Sequence, residues 1–120
     1  MSRRPAMIVD SNERGTLCES VLRKAEKAGL SIIRKPLVVG DYLLGEACVE
    51  AKSINDLFLS SHSGHLWRQL ENMDINYQRF FLVIHGGIDK YVAMAKKTGK
   101  KVTYTRIQNE LTGTIARIMS

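Results

Sequence analysis

Cysteine, proline and tryptophan are scarce in this 120-residue chain, which has two cysteines, two prolines and one tryptophan. Cys18 and Cys48 stand far apart with no CxxC pair, so neither a disulfide framework nor a cysteine zinc site is indicated, and both are read as reduced, mostly buried thiols. With 44% hydrophobic and 25% charged residues, the composition excludes a disordered or fibrous chain and points to one compact domain over residues 1–120. No apolar run approaches the ~20 residues that span a bilayer. Arg3 and Arg4 are not followed by the apolar stretch of a secretory signal. The expectation is an intracellular protein, in the cytoplasm or in a eukaryotic nucleus, with no membrane partner.

Acidic residues are the minority, 12 against 18 Lys and Arg, giving a formal charge of +6. A positive field attracts polyanions, of which nucleic acid is the commonest. The basic residues recur in pairs, at Arg34 and Lys35, Lys96 and Lys97, and Lys100 and Lys101. A solvated basic surface fits that spread as well. Thr98-Gly99-Lys100-Lys101 lacks the spacing and the preceding strand of a phosphate-binding loop, so no nucleotide cofactor is expected. His62 and His65 lie three apart without a third ligand nearby, in what reads as a polar loop with Ser61, Ser63 and Gly64, and zinc is disfavoured.

The apolar run Ala6 to Val9 reads as a buried strand delivering Asp10 at its end. Thr16-Leu17-Cys18-Glu19 has the form of a capping box, and Leu17, Val21, Leu22 and Ala25 recur at helical spacing until Gly29, predicting a helix over about 17–28. Leu30 to Arg34, Leu37 to Val39 and Ala47 to Glu50 are β-rich pieces divided by Pro36, Gly40 and Gly45, which predicts a bent hairpin or meander. Ser53-Ile54-Asn55-Asp56 starts a second helix, and Leu66, Leu70 and Met73 mark another after Gly64. Arg79 to His85 reads as a buried strand, residues 88 to 97 as a helix stopped by Gly99, and Ile107, Leu111, Ile115 and Ile118 as the face of a last helix. Gly113 and Ala116 on that helix permit close packing against another helix. Alternating strands and helices predict an α/β fold with a central mixed sheet.

Glu50 and Lys52 are two apart on a predicted strand, so their side chains share a face. Asp41 sits at the turn that begins the same hairpin, and strand pairing can bring it beside Glu50. Two carboxylates and an ammonium suit phosphodiester hydrolysis. Magnesium takes oxygen ligands, often one or two carboxylates plus substrate phosphate, and Asp41, Glu50 and the Ala51 carbonyl can provide such ligands. Spacing alone leaves the alternative open: Asp41 and Lys52 as turn and surface residues, and Glu50 paired with a neighbour.

Four segments in order now carry a resemblance: Ile8-Val9-Asp10-Ser11-Asn12-Glu13-Arg14, Val39-Gly40-Asp41-Tyr42, Val49-Glu50-Ala51-Lys52-Ser53-Ile54-Asn55-Asp56-Leu57 and Gly64-His65-Leu66-Trp67-Arg68-Gln69. Over about residues 6 to 85 the chain resembles the nuclease domain of the XPF family, whose signature reads GD…ERK…D within the PD-(D/E)xK group. The resemblance implies a restriction-endonuclease-like fold, cutting of branched DNA with magnesium or manganese, and a homodimer through the helices near residues 88 to 119. It implies that Asp41 and Glu50 are metal ligands, Lys52 the catalytic lysine, Asp10 and Glu13 accessory catalytic acids, and Gln69 a glutamine near the site. DNA contacts are expected from Gln69, Arg68, Arg14, Lys100 and Lys101. Two departures stand out, because Ala51 and Asn12 replace arginines of the family, which implies lowered activity. The family is also expected to continue beyond Ser120. The rival expectations are a non-catalytic DNA-binding or scaffold subunit of the same fold, and a nuclease of the Holliday-junction resolvase kind.

Overall fold

The computed structural model describes residues 5–119; residues 1–4, including Arg3 and Arg4, and residue 120 lie outside the described residues. The elements run β1 (Ala6–Asp10), α1 (Thr16–Lys27), β2 (Ser31–Lys35), β3 (Tyr42–Leu44), β4 (Ala47–Ser53), α2 (Ile54–Ser63), α3 (His65–Asn76), β5 (Arg79–His85), α4 (Ile88–Lys97) and α5 (Tyr104–Met119). The strands form one mixed sheet in the order β2-β1-β3-β4-β5. β1 runs parallel to β2 and antiparallel to β3, and β3 runs antiparallel to β4. The chain divides into two compact units, residues 1–50 with 69–82, and residues 51–68 with 83–120.

The first unit buries Met7, Val9, Cys18, Ala25, Tyr42, Cys48 and Met73. β1 alternates as a strand covered chiefly on one face should, with Met7 and Val9 turned inward. Its register places Asp10 opposite Lys35 of β2 and Val9 opposite Tyr42 of β3. α1 connects β1 to β2, the crossover that a parallel pair requires.

The second unit packs Ile54, Phe58, Val92 and Ile107 into a core from α2, α4 and α5, with Tyr91 and Leu111 against it. The rings of Phe58 and Tyr91 meet edge to face at 5.3 Å. Each such large apolar side chain contributes about 1.5–3 kcal/mol on burial. Ser53 caps α2, its Oγ accepting from the Asp56 N–H at 3.1 Å, as the helix-start pattern predicts.

The structure corrects several sequence expectations. Thr16 is the first helical residue and makes no cap; Glu19 N–H donates to the Gly15 carbonyl, and Gly15, at φ 100°, adopts a backbone that a threonine cap would resist. Leu37 to Val39 is loop, and the partner of β4 is Tyr42–Leu44, because Gly45 and Glu46 make the hairpin turn. β2 joins β1 in parallel, so there is no meander. Ser61 and Ser63 lie inside α2, where the Ser63 hydroxyl donates back to the Ser60 carbonyl, and the helix ends only at Gly64 with φ 82°. β5 is not a buried strand: it lies at the sheet edge, and Phe81 and Val83 are 53% and 42% exposed.

Candidate active site

Asp41 precedes β3 directly and is held by its backbone on both sides. Its N–H donates to the Val49 carbonyl at 2.9 Å, and its carbonyl accepts from the Asp10 N–H at 2.8 Å. Tyr42 pairs with Val49, and Asp41, just before the strand, lies against the same residue, next in sequence to Glu50. Both carboxylates line one cleft of about 150 Å³, together with Val39, Gly40, Gln69 and Asn72. The cleft therefore brings together two of the expected metal ligands.

Gln69 of α3 reaches the same cleft, and its Nε2 donates to Glu50 Oε1 at 3.2 Å. Its Oε1 is buried without a hydrogen-bond partner among the described residues. Exchanging the two amide atoms would set an oxygen against the Glu50 carboxylate, so it is the nitrogen that faces Glu50.

The Cys48 thiol, two residues before Glu50, reports the local potential. Burial, then the negative charges of Glu50 and Asp41, push it up to about 11. Tyr42 lies on the strand after Asp41, and burial, followed by hydrogen bonds with Cys18 and Glu13, holds its hydroxyl well above the ordinary phenol range. It therefore stays a neutral donor, at 3.0 Å from Glu13 Oε2.

Asp10 and Glu13, expected as accessory acids, have structural partners. Asp10 Oδ1 accepts from the Leu37 N–H at 2.9 Å, and Glu13 receives the Tyr42 hydroxyl. Arg34, at the end of a β-rich piece and one of a basic pair in the sequence, carries a role that neither signals. Its Nη1 donates to the Glu13 carbonyl at 2.9 Å and to the Asp10 carbonyl at 3.4 Å, and its Nη2 to Cys18 Sγ at 3.6 Å. The signal that could have found it is the parallel register of β1 and β2, which no local spacing reveals.

Lys52, on β4 two residues after Glu50, is 7% exposed, and its Nζ donates to the Ser60 hydroxyl at 3.1 Å. Ser60 in turn donates to the Asp56 carbonyl at 2.6 Å, which fixes the acceptor for the lysine. Arg14, Arg68, Lys100 and Lys101 are exposed. His62 Nε2 lies 2.9 Å from Glu110 Oε1, a partner other than His65. Trp67 carries the Arg117 guanidinium over its ring at 4.5 Å, in keeping with a packing role. Both cysteines are free and buried.

Two carboxylates on an open cleft fit magnesium or manganese, which keeps several waters and needs one or two protein carboxylates. Among the described residues no group of three or more His, Cys, Asp or Glu side chains gathers as a cation site.

The sheet and its flanking helices define a restriction-endonuclease-like fold of the XPF nuclease type. XPF from Aeropyrum pernix superposes with a TM-score of 0.59 at 29% identity, over 76% of this chain and 50% of that one. The same protein in complex with DNA gives 0.58 at 29% identity, over 77% of this chain and 50% of that one. The ERCC4 domain family model matches residues 9–120, and the chain belongs to that family. The DNA repair endonuclease UVH1 of Arabidopsis thaliana is 40% identical over 91 residues, 75% of this chain and 9% of that protein. The DNA repair endonuclease XPF of Cricetulus griseus is 35% identical over 94 residues, 78% of this chain and 10% of that protein. The chain thus spans about a tenth of those relatives.

Proposed function

We propose that this chain is a magnesium- or manganese-dependent endonuclease that hydrolyses a phosphodiester bond near a flap, fork or junction in DNA. The observation that carries the reading is the pair Asp41 and Glu50, which line one cleft beside the β3–β4 hairpin. The names of the relatives, DNA repair endonucleases, and a structural neighbour in complex with DNA support it. Such a role belongs inside the cell, with the genome; no helix among the described residues is long and apolar enough to cross a membrane.

Asp41, Glu50 and the Ala51 carbonyl would hold the metal, and Gln69 steadies the Glu50 carboxylate. The bound ion would supply charge to the scissile phosphate and acidify a water molecule. Lys52 offers an ammonium with three donors, one given to Ser60, for negative charge developing on the phosphate. Arg14, Arg68, Lys100 and Lys101 are exposed cations for backbone phosphates. Pairing of two copies through α4 and α5 belongs to the same reading. It is supported by the exposed apolar side chains of Met94, Tyr104 and Met119 on those helices. Light scattering at high concentration tests it, and a monomer rejects it.

Ala51 supplies no side-chain donor where the resembling family has arginine. An arginine there would add a planar fork suited to phosphate while leaving the carbonyl for metal. Ala51→Arg is expected to raise the single-turnover rate on a flap substrate about tenfold, or ~1.4 kcal/mol of barrier, with an unchanged metal titration. A flat or lower rate in a folded variant would mean that this chain does without the arginine. The same alanine favours one second reading, a DNA-binding subunit without catalysis. That reading predicts binding of branched DNA with no cleavage at any magnesium or manganese concentration.

A further inference from the structure

The segment from Leu37 to Asp41 forms much of the cleft wall, through Val38, Val39, Gly40 and Asp41, yet it has no regular secondary structure. Val38 is fully exposed, and Leu37 and Val39 are only half-buried. Hydrogen bonds therefore carry much of the work of fixing its path. At Val39 they are long: the carbonyl accepts from Tyr77 Oη at 3.5 Å and from Cys48 Sγ at 4.0 Å. The short ones are Leu37 N–H to Asp10 Oδ1 at 2.9 Å, Asp10 N–H to the Asp41 carbonyl at 2.8 Å, and Asp41 N–H to the Val49 carbonyl at 2.9 Å. Asp10 makes two of these three, one at each end of the segment.

Asp10 is itself anchored. It closes β1 opposite Lys35, the next residue, Ser11, donates to the Lys35 carbonyl at 3.1 Å, and the Asp10 carbonyl accepts from Glu13 N–H at 3.0 Å. Arg34 adds its guanidinium to the carbonyls of Asp10 and Glu13.

We propose that Asp10 is a positioning residue: its carboxylate and backbone N–H fasten the segment from Leu37 to Asp41, and so aim the Asp41 carboxylate into the cleft. This departs from the accessory catalytic role that the family resemblance implies, and it rests on the nuclease reading for its effect on rate. The two roles differ in what they require of the side chain. A metal ligand or catalytic acid needs the negative charge or the proton, whereas a fastening residue needs an acceptor oxygen of the right reach. Asn preserves that oxygen and removes the charge; Ala removes both.

The test compares Asp10→Asn with Asp10→Ala in the full chain, by single-turnover cleavage of a labelled flap with magnesium and by exchange of the Leu37 amide hydrogen followed by NMR. Asp10→Asn is expected to keep Leu37 protected and to cleave within about threefold of the unaltered chain, since only the charge assistance of one bond is lost. Asp10→Ala is expected to lose Leu37 protection and to cleave at least about tenfold more slowly, as loss of supporting partners does at metal sites. Should Asp10→Ala fail to fold, Asp10→Asn against the unaltered chain decides alone. An Asp10→Asn protein with Leu37 protected but cleavage as weak as with alanine overturns the proposal and makes the charge itself the working part. If the unaltered chain cleaves nothing, the nuclease reading fails. The Leu37 exchange still decides whether Asp10 fastens the loop: protection kept by asparagine and lost with alanine supports it, and protection unchanged by alanine overturns it.

Discussion

Asp41→Asn and Glu50→Gln are each expected to cut metal-dependent cleavage about a thousandfold, or ~4 kcal/mol of barrier, while leaving the fold intact. Each change removes one hard anionic ligand and keeps the shape of the side chain. With two carboxylates on the cleft among the described residues, each change would remove half of the anionic ligands. The fold should survive because the Asp41 backbone, not its carboxylate, makes the bonds to Val49 and Asp10, and because a glutamine at position 50 can still accept from Gln69. Single-turnover rates on a flap substrate, with circular dichroism and melting curves as controls, measure both effects. Unchanged cleavage by both variants would remove these residues from the site.

Gly40→Ala is expected to lower stability by roughly 2–5 kcal/mol. Gly40 has φ +86°, where a side chain costs about 1–2 kcal/mol. A Cβ there would also run into the buried Cys48 Sγ, and overpacking of this kind costs about 1–3 kcal/mol. Since Asp41 follows directly, cleavage should weaken with it. Urea unfolding gives the stability change. Pairing the substitution with Cys48→Ala separates the causes, because a smaller side chain relieves the overlap but not the backbone strain. A Gly40→Ala midpoint equal to that of the unaltered chain would contradict the close approach of the loop and β4.

How legible these features were depended on the range of the interactions behind them. The helices at Ile54, Ile88 and Tyr104 follow from apolar spacing and from local stops and starts such as Ser53 and Gly99, so their signals lie within a few residues. Asp41 and Glu50 were found together because a short hairpin carries them, although the strand before the turn proved to be Tyr42–Leu44, hidden between two glycines. Leu37 to Val39 looked equally apolar, but the chain there is held by Asp10, Tyr77 and Cys48 rather than by a neighbouring strand. Arg34, Ser60 and the Tyr42 bond to Glu13 were out of reach. Each depends on a contact made by tertiary folding, between residues whose types alone suggest surface, helix or strand. The half-exposed β5 departs from a buried strand for a related reason, since Phe81 and Val83 have core composition at the edge of a sheet.

The most direct measurement of the central claim is cleavage by this chain of end-labelled flap, fork, four-way and linear DNA side by side, with magnesium, with manganese and with chelator. The expected result is metal-dependent cutting of one strand near the branch, little cutting of linear DNA, and loss of all cutting with Asp41→Asn. Binding of every branched DNA without metal-dependent cleavage, or cleavage that persists in Asp41→Asn, would contradict it.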